Sequence, residues 1–143
     1  MDDDVRRTLL DVEFRSLLGR RLDCVRAPLR CDPSQFALEG SEYHDEVSRL
    51  VAGRRRDGIV ATAGDLEIRS LSFDSLTETS ARAEVCLVDS VVLVDVSGDV
   101  DVILDDSIRG EVSMWTMHAT EQGWRIGSKE VEEWSMDETV CEV

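Results

Sequence analysis

Between Ala81 and Val94 the residues are β-branched or small at nearly every step, and Ala81, Ala83, Val85, Leu87, Val91 and Leu93 share one face. A strand in that register must bury its apolar side against something. The first half of the chain, whose apolar residues recur at helical spacing, is the cover at hand. The pattern predicts helices laid on a sheet. It says little about chemistry.

Asp2 to Asp4 supply a cap and favourable negative charge for a first helix reaching about Arg20. Val5, Leu9 and Val12, together with Leu10, Phe14, Leu17 and Leu18, read as one broad apolar stripe on it. Asp32-Pro33-Ser34 then predicts a short helix closed by Gly40. A third helix is expected from Ser41 to about Arg56, with Val47, Leu50 and Val51 inward and Gly58 ending it. From Ile59 the period changes to alternation, predicting strands at about 59–62, 65–74, 81–96, 100–104, 110–120 and 124–134. Turn residues fall between them: Ala63-Gly64, Asp74-Ser75, Ser97-Gly98-Asp99 and Glu121-Gln122-Gly123. Helices followed by an antiparallel sheet make an α+β plan.

A chain of 143 residues supports one domain, 1–143, that buries roughly two-thirds of its unfolded surface. With 42% hydrophobic and 33% charged residues it reads as globular rather than disordered. The formal charge of −15 argues against nucleic-acid and anionic-membrane partners, since phosphates would be repelled. A cationic partner is allowed by that charge but not indicated. The one basic cluster, Arg54-Arg55-Arg56, reads as cations at a helix C-terminus. Lys129 is the single lysine. No stretch approaches the roughly 18 apolar residues of a membrane span. Met1-Asp2-Asp3-Asp4 carries neither a basic nor an apolar leader region. The expectation is therefore a cytosolic protein, or one whose export signal lies outside the sequence as written.

Cys24, Cys31, Cys86 and Cys141 are an even set, compatible with two disulfides in an oxidising compartment. A Cys24–Cys31 bridge would pin the loop around Pro28, and a Cys86–Cys141 bridge would tie down the tail. Buried free thiols in a cytosolic protein are the competing reading. We favour the bridges. No C-x2-C occurs and His44 and His118 are remote from the cysteines, so neither a metal site nor a catalytic thiol is expected. The run Asp95, Asp99, Asp101, Asp105, Asp106 lacks a calcium loop, and its alternation with valine reads as the wet and dry sides of a hairpin. No phosphate loop or nucleophile elbow occurs, and no cofactor is expected.

The run Asp23-Cys24 to Cys31-Asp32-Pro33, the helix into Arg54–Gly58, the strand Val85-Cys86-Leu87-Val88-Asp89 and the closing Gly123-Trp124-Arg125-Ile126, Trp134 and Cys141 carry a family resemblance. Over nearly its whole length the chain resembles the NTF2-like (cystatin-like cone) superfamily. Within it, the likeness is to exported or membrane-anchored members of unassigned function. The resemblance implies a curved antiparallel sheet wrapped around N-terminal helices, and an extracytoplasmic location. Its motifs are framework residues, so it transfers no catalytic set. Enzymes of the superfamily, such as SnoaL-type cyclases and ketosteroid isomerases, place an acid or histidine inside the cone, where apolar walls raise a carboxyl pKa.

Asp89 is the leading candidate for such a role, because alternation points it inward beside Val85 and Leu87. The competing reading is a bulge at Asp89-Ser90 that turns the carboxylate to solvent or to a backbone amide. His118 is a second pocket candidate, against a plain structural histidine; it shares a strand face with Val112, Met114 and Thr116. Trp115, Trp124 and Trp134 are candidate pocket walls, against core and edge packing, while His44 reads as solvent-facing. The expectation overall is a non-catalytic, extracytoplasmic interaction or accessory domain, with a protein partner or a sheet-on-sheet homodimer. A small-ligand pocket or enzyme built on Asp89 is the alternative, and a cytosolic structural protein the third reading.

Overall fold

The computed structural model describes residues 2–142. The first helix, α1, spans Asp3–Arg26, with the Asp2 carboxylate accepting the Val5 amide at 2.9 Å. It runs past the expected end at Arg20 because Leu22 and Cys24 prolong the buried row of Leu10, Phe14, Leu17 and Leu18. It stops where Ala27 precedes Pro28, a position that disfavours helical backbone. Its expected stripe is narrower than the spacing implied. Val5, Leu9 and Val12 are exposed, because the sheet covers only one side of the helix.

The expected short helix after Asp32 is instead a 3-10 turn at Pro33–Gln35, preceded in the loop by another at Pro28–Arg30. They feed Phe36 and Ala37 into the core, where Ile126 donates to the Phe36 carbonyl and Leu38 donates to that of Ile126, both at 2.8 Å. The second helix, α2, covers Glu42–Asp57, capped by the Ser41 hydroxyl on the His44 amide. Gly58 ends it at φ 69°, a left-handed conformation that glycine adopts without steric cost.

Seven strands follow: β1 (Ile59–Ala61), β2 (Leu66–Leu76), β3 (Ser80–Asp89), β4 (Leu93–Asp95), β5 (Val102–Asp105), β6 (Arg109–Thr120) and β7 (Gly123–Ser135). They form a four-stranded antiparallel sheet, β2-β3-β6-β7, and a three-stranded one, β1-β4-β5. Register shifts put extra residues on β2 and β7 and mark bulges, which bend and twist strands around a core. The helices lie against the inner face, giving the α+β plan expected from the sequence.

The strand expected at 81–96 is two strands in different sheets. The Asp89 carboxylate accepts the Val91 amide at 2.9 Å, and Gly64 packs so tightly on Ser90 that any side chain there would collide with its carbonyl. Val92 then pairs with Thr62 and Ala63. Val91 and Leu93 therefore leave the row of Ala81, Ala83, Val85 and Leu87. The hairpin of alternating Asp and Val also departs from expectation, since Val102, Ile103 and Leu104 are all in solvent.

One core joins Leu10, Phe14, Leu17 and Leu18 of α1 to Tyr43, Val47 and Val51 of α2 and to Ala83, Val85, Leu87, Trp115, Met117 and Ile126 of the sheet. Trp115 is its centre, edge-on to Phe14 (5.4 Å) and Tyr43 (5.9 Å). Both expected cysteine pairs are formed, with Cα–Cα distances of 4.6 Å for Cys24–Cys31 and 5.6 Å for Cys86–Cys141. The second draws the tail across the outer face of β3 and β6, where Gly110 leaves room for Asp137 and Val140. Cys86 and Val88 are thereby buried on the face away from the core. No helix among the described residues is long and apolar enough to cross a membrane.

Candidate functional site

Between the two helices and the ends of β3, β4, β6 and β7 lies a recess of about 120 Å³. Leu18 and Leu22 of α1 and Leu87 of β3 make part of its apolar wall, with Trp115 as floor. Five charged side chains also face it: Arg21, Arg54, Asp89, Glu111 and Lys129. The β6–β7 register sets Lys129 opposite Trp115, and alternation along β6 brings Glu111 to the same inner face. Lys129 pairs with Glu111, and its ammonium lies 5.1 Å from the centre of the Trp115 ring. Arg109 reaches Glu111 from outside at 3.6 Å.

Burial holds the Lys129 ammonium below its ordinary pKa, with Glu111 opposing the shift. Burial likewise pushes the Asp89 carboxyl up; the Val91 amide pulls the other way, and Glu111 adds to the rise. Arg21 donates to the Tyr43 hydroxyl at 2.8 Å, and burial, opposed by Arg21, keeps that phenol above its usual value. Arg54 is lowered by burial, and its Nη1 has no hydrogen-bond partner among the described residues.

Asp89 and Trp115 both line this recess. The Asp89 carboxylate faces the recess and also accepts the Val91 amide, so the two readings set against each other describe one side chain. His118 does not join them. It lies on the outer face of β6 with Thr116, against Gly127 of β7, because the period of two puts it opposite Met117. Trp124 does not join them either, packing beside Arg6, Leu9 and Leu10 at the other end of α1. His44 is half-buried rather than solvent-facing, its ring between the hydroxyls of Ser34 (3.0 Å) and Ser48 (3.4 Å).

Sequence reasoning missed Arg21, Arg54, Glu111 and Lys129. The alternation that places Trp115 and Met117 inward also places Glu111 inward, and that signal was legible. The arginine cluster, read as three equivalent cations, divides its work. Arg54 faces the recess, Arg55 donates to the Cys31 carbonyl at 2.6 Å, and Arg56 pairs with Asp57.

The recess lies well under the roughly 300–1,000 Å³ of a typical ligand pocket. It can hold water or a guest of a few heavy atoms, with which Asp89 can exchange a proton. Among the described residues no group of His, Cys, Asp and Glu is arranged to hold a metal ion.

Two expected outcomes follow from these charges. A carboxyl with a raised folded pKa keeps its proton where the unfolded chain has released it, so its contribution to stability declines as pH climbs from about 4. Asparagine keeps the acceptor for Val91 and never ionises. Asp89→Asn should therefore be more stable than the parent at pH 7, with the gap closing below about pH 4 in urea titrations. A gap that ignores pH would overturn the assignment. Lys129→Met should cost about 1–3 kcal/mol by stranding the Glu111 carboxylate. The cost is less than for a dry pair because Lys129 keeps 21% of its side chain in solvent. Lys129→Met with Glu111→Leu should recover most of that loss, and a double variant no better than the single one would refute it.

No family model matches the sequence, and no curated protein is significantly similar to it. Solved structures are. The intermembrane space region of the chloroplast protein ARC6 superposes with a TM-score of 0.57 at 17% identity, covering 92% of this chain and 96% of that one. An NTF2-like protein with a cystatin-like fold from Novosphingobium aromaticivorans gives a TM-score of 0.50 at 18% identity, covering 92% and 90%. At these identities the likeness concerns architecture, and the architecture is the NTF2-like, cystatin-like cone.

Proposed function

We propose that this NTF2-like cone is a single-domain, non-catalytic interaction module of an assembly outside the reducing cytoplasm. The observation that carries the reading is the state of the recess, the place where a cone would hold a substrate. Its space is small, and the Lys129–Glu111 pair over Trp115 occupies its floor. One oxygen of the Asp89 carboxylate, Oδ1, is held by the Val91 amide. Two cysteine pairs at bonding distance support an oxidising compartment, and one similar structure is itself an intermembrane space region. A homodimer built sheet on sheet is the weaker form of the proposal. The outer face carries Arg82, Glu84, Thr116, His118 and Ser128, a hydrophilic set with little to bury.

A small-ligand reading has one observation in its favour, the unpartnered Arg54 Nη1 at the recess. One experiment separates the two. The Lys129→Met, Glu111→Leu variant replaces the charged pair on the floor of the recess by apolar side chains of similar size. It should complement the deleted gene and keep its cross-linked partner in cells if the module is non-catalytic. A small molecule that stabilises the parent protein but not this variant, together with loss of complementation, would overturn the reading in favour of a ligand site. Compartment is read separately, by alkylation without reductant. Four freely modified thiols would return the chain to the cytosol.

A further inference from the structure

β5 is the outermost strand of the β1-β4-β5 sheet, and among the described residues its backbone pairs on one side only, with β4. Its Val102, Ile103 and Leu104 are 53%, 63% and 51% exposed. Val96, Val100 and Ile108 beside it are exposed as well, so six aliphatic side chains stand in water between residues 96 and 108. Soluble chains generally blunt such edges or cover them. Around this one lie Asp95, Asp99, Asp101, Asp105 and Asp106, and residues 95–108 contain no Lys, Arg or His.

That charge decides what can cover the strand. A second copy would set one acidic row against another, within a pair of chains that each carry a formal −15. Two of the acids are held in their charged form by the turns themselves. The carboxylates of Asp95 and Asp105 accept from the hydroxyl and amide of Ser97 and Ser107, which holds both below the usual carboxylate range. A partner strand carrying cations at its ends meets attraction at every one of these positions. The register shift in β4–β5 twists the edge, a device that discourages indiscriminate pairing while leaving the backbone groups open.

We propose that β5 receives an extended, aliphatic segment of a partner protein flanked by Lys or Arg, added as a further strand of the β1-β4-β5 sheet. Main-chain hydrogen bonds supply affinity, the aliphatic row supplies burial, and the acids select against wrong partners. The assignment deepens the interaction reading above by naming the surface and the chemistry of the partner.

The test uses the oxidised full chain and a capped peptide of alternating valine and threonine with two lysines at each end. Binding by fluorescence anisotropy should weaken as salt rises, and the amides of 102–105 should gain protection from exchange. Asp101→Lys with Asp106→Lys, exposed acids that make no hydrogen bond or ion pair among the described residues, should weaken binding at least tenfold. So should replacing the valines of the peptide by serine. Equal binding of the serine peptide would reduce the effect to counter-ion attraction and overturn the proposal. Unprotected 102–105 amides would do the same. Self-association in sedimentation that Ile103→Lys abolishes would assign the edge to a second copy instead. A partner that cross-links elsewhere on the cone leaves the interaction module standing and removes only β5.

Discussion

Trp115→Ala is expected to cost about 3–5 kcal/mol, enough to bring a domain of ordinary stability close to unfolding. The indole is almost wholly buried, and four side chains converge on it. Phe14 and Tyr43 present ring edges, Ser113 accepts its N–H at 2.8 Å, and the Lys129 ammonium covers one face. Alanine leaves a cavity at the meeting point of α1, α2 and β6, and it strands the Ser113 hydroxyl and the Lys129–Glu111 pair together. Urea unfolding followed by circular dichroism measures the loss. Trp134→Ala is the control, since that ring is exposed and lies under the Arg109 guanidinium at 4.9 Å; a loss of about 1 kcal/mol or less is expected. Equal losses at the two sites would show that the centre of the core is misplaced.

Opening the Cys86–Cys141 bridge by paired alanine substitutions should cost about 4 kcal/mol, against about 2 for the Cys24–Cys31 bridge. The difference comes from the sequence separations, 55 and 7 residues, because the longer loop confines the unfolded chain more. A local effect accompanies it. The tail is held over β3 and β6 by this bridge, by Ser135 donating to the Asp137 carbonyl, and by the room at Gly110. Amides of 136–142 should exchange faster in the variant, along with Val88, whose outer face would become wet. A larger penalty for the short loop would refute the loop-entropy account. A tail equally protected without the bridge would show that packing alone holds it.

The elements were legible wherever one periodic pattern ran between two turn signals. β2, β6 and β7 appear within a few residues of expectation for that reason, and α2 lies between its Ser41 cap and its Gly58 stop. Errors occurred where periodicity continued through a change of neighbour. The alternation of 81–96 passes unbroken through Asp89-Ser90, yet the chain changes sheets there, because the Asp89 cap and the approach of Gly64 are tertiary contacts. The α1 stripe failed differently. Leu9 and Leu10 are equally hydrophobic, and only the position of the sheet decides that Leu10 is dry.

The candidate site was half legible. Asp89 and Trp115 could be placed by alternation along single strands, and so could Glu111 had the same rule been applied to it. Arg21, Arg54 and Lys129 come from α1, α2 and β7, and no local pattern says that these three elements meet. His118 and Trp124 were separated from the recess by strand parity and by the length of the cone.

What the chain determined by itself is what short-range physics can encode: helix caps, strand parity, turn positions, the supply of four cysteines and an acidic surface. What only the folded molecule decided is which apolar faces found a partner. Val85 and Val102 have the same side chain in the same kind of strand, yet one lies under two helices and the other stands in water. Burial depends on what the rest of the chain brings alongside, and no residue carries that information alone.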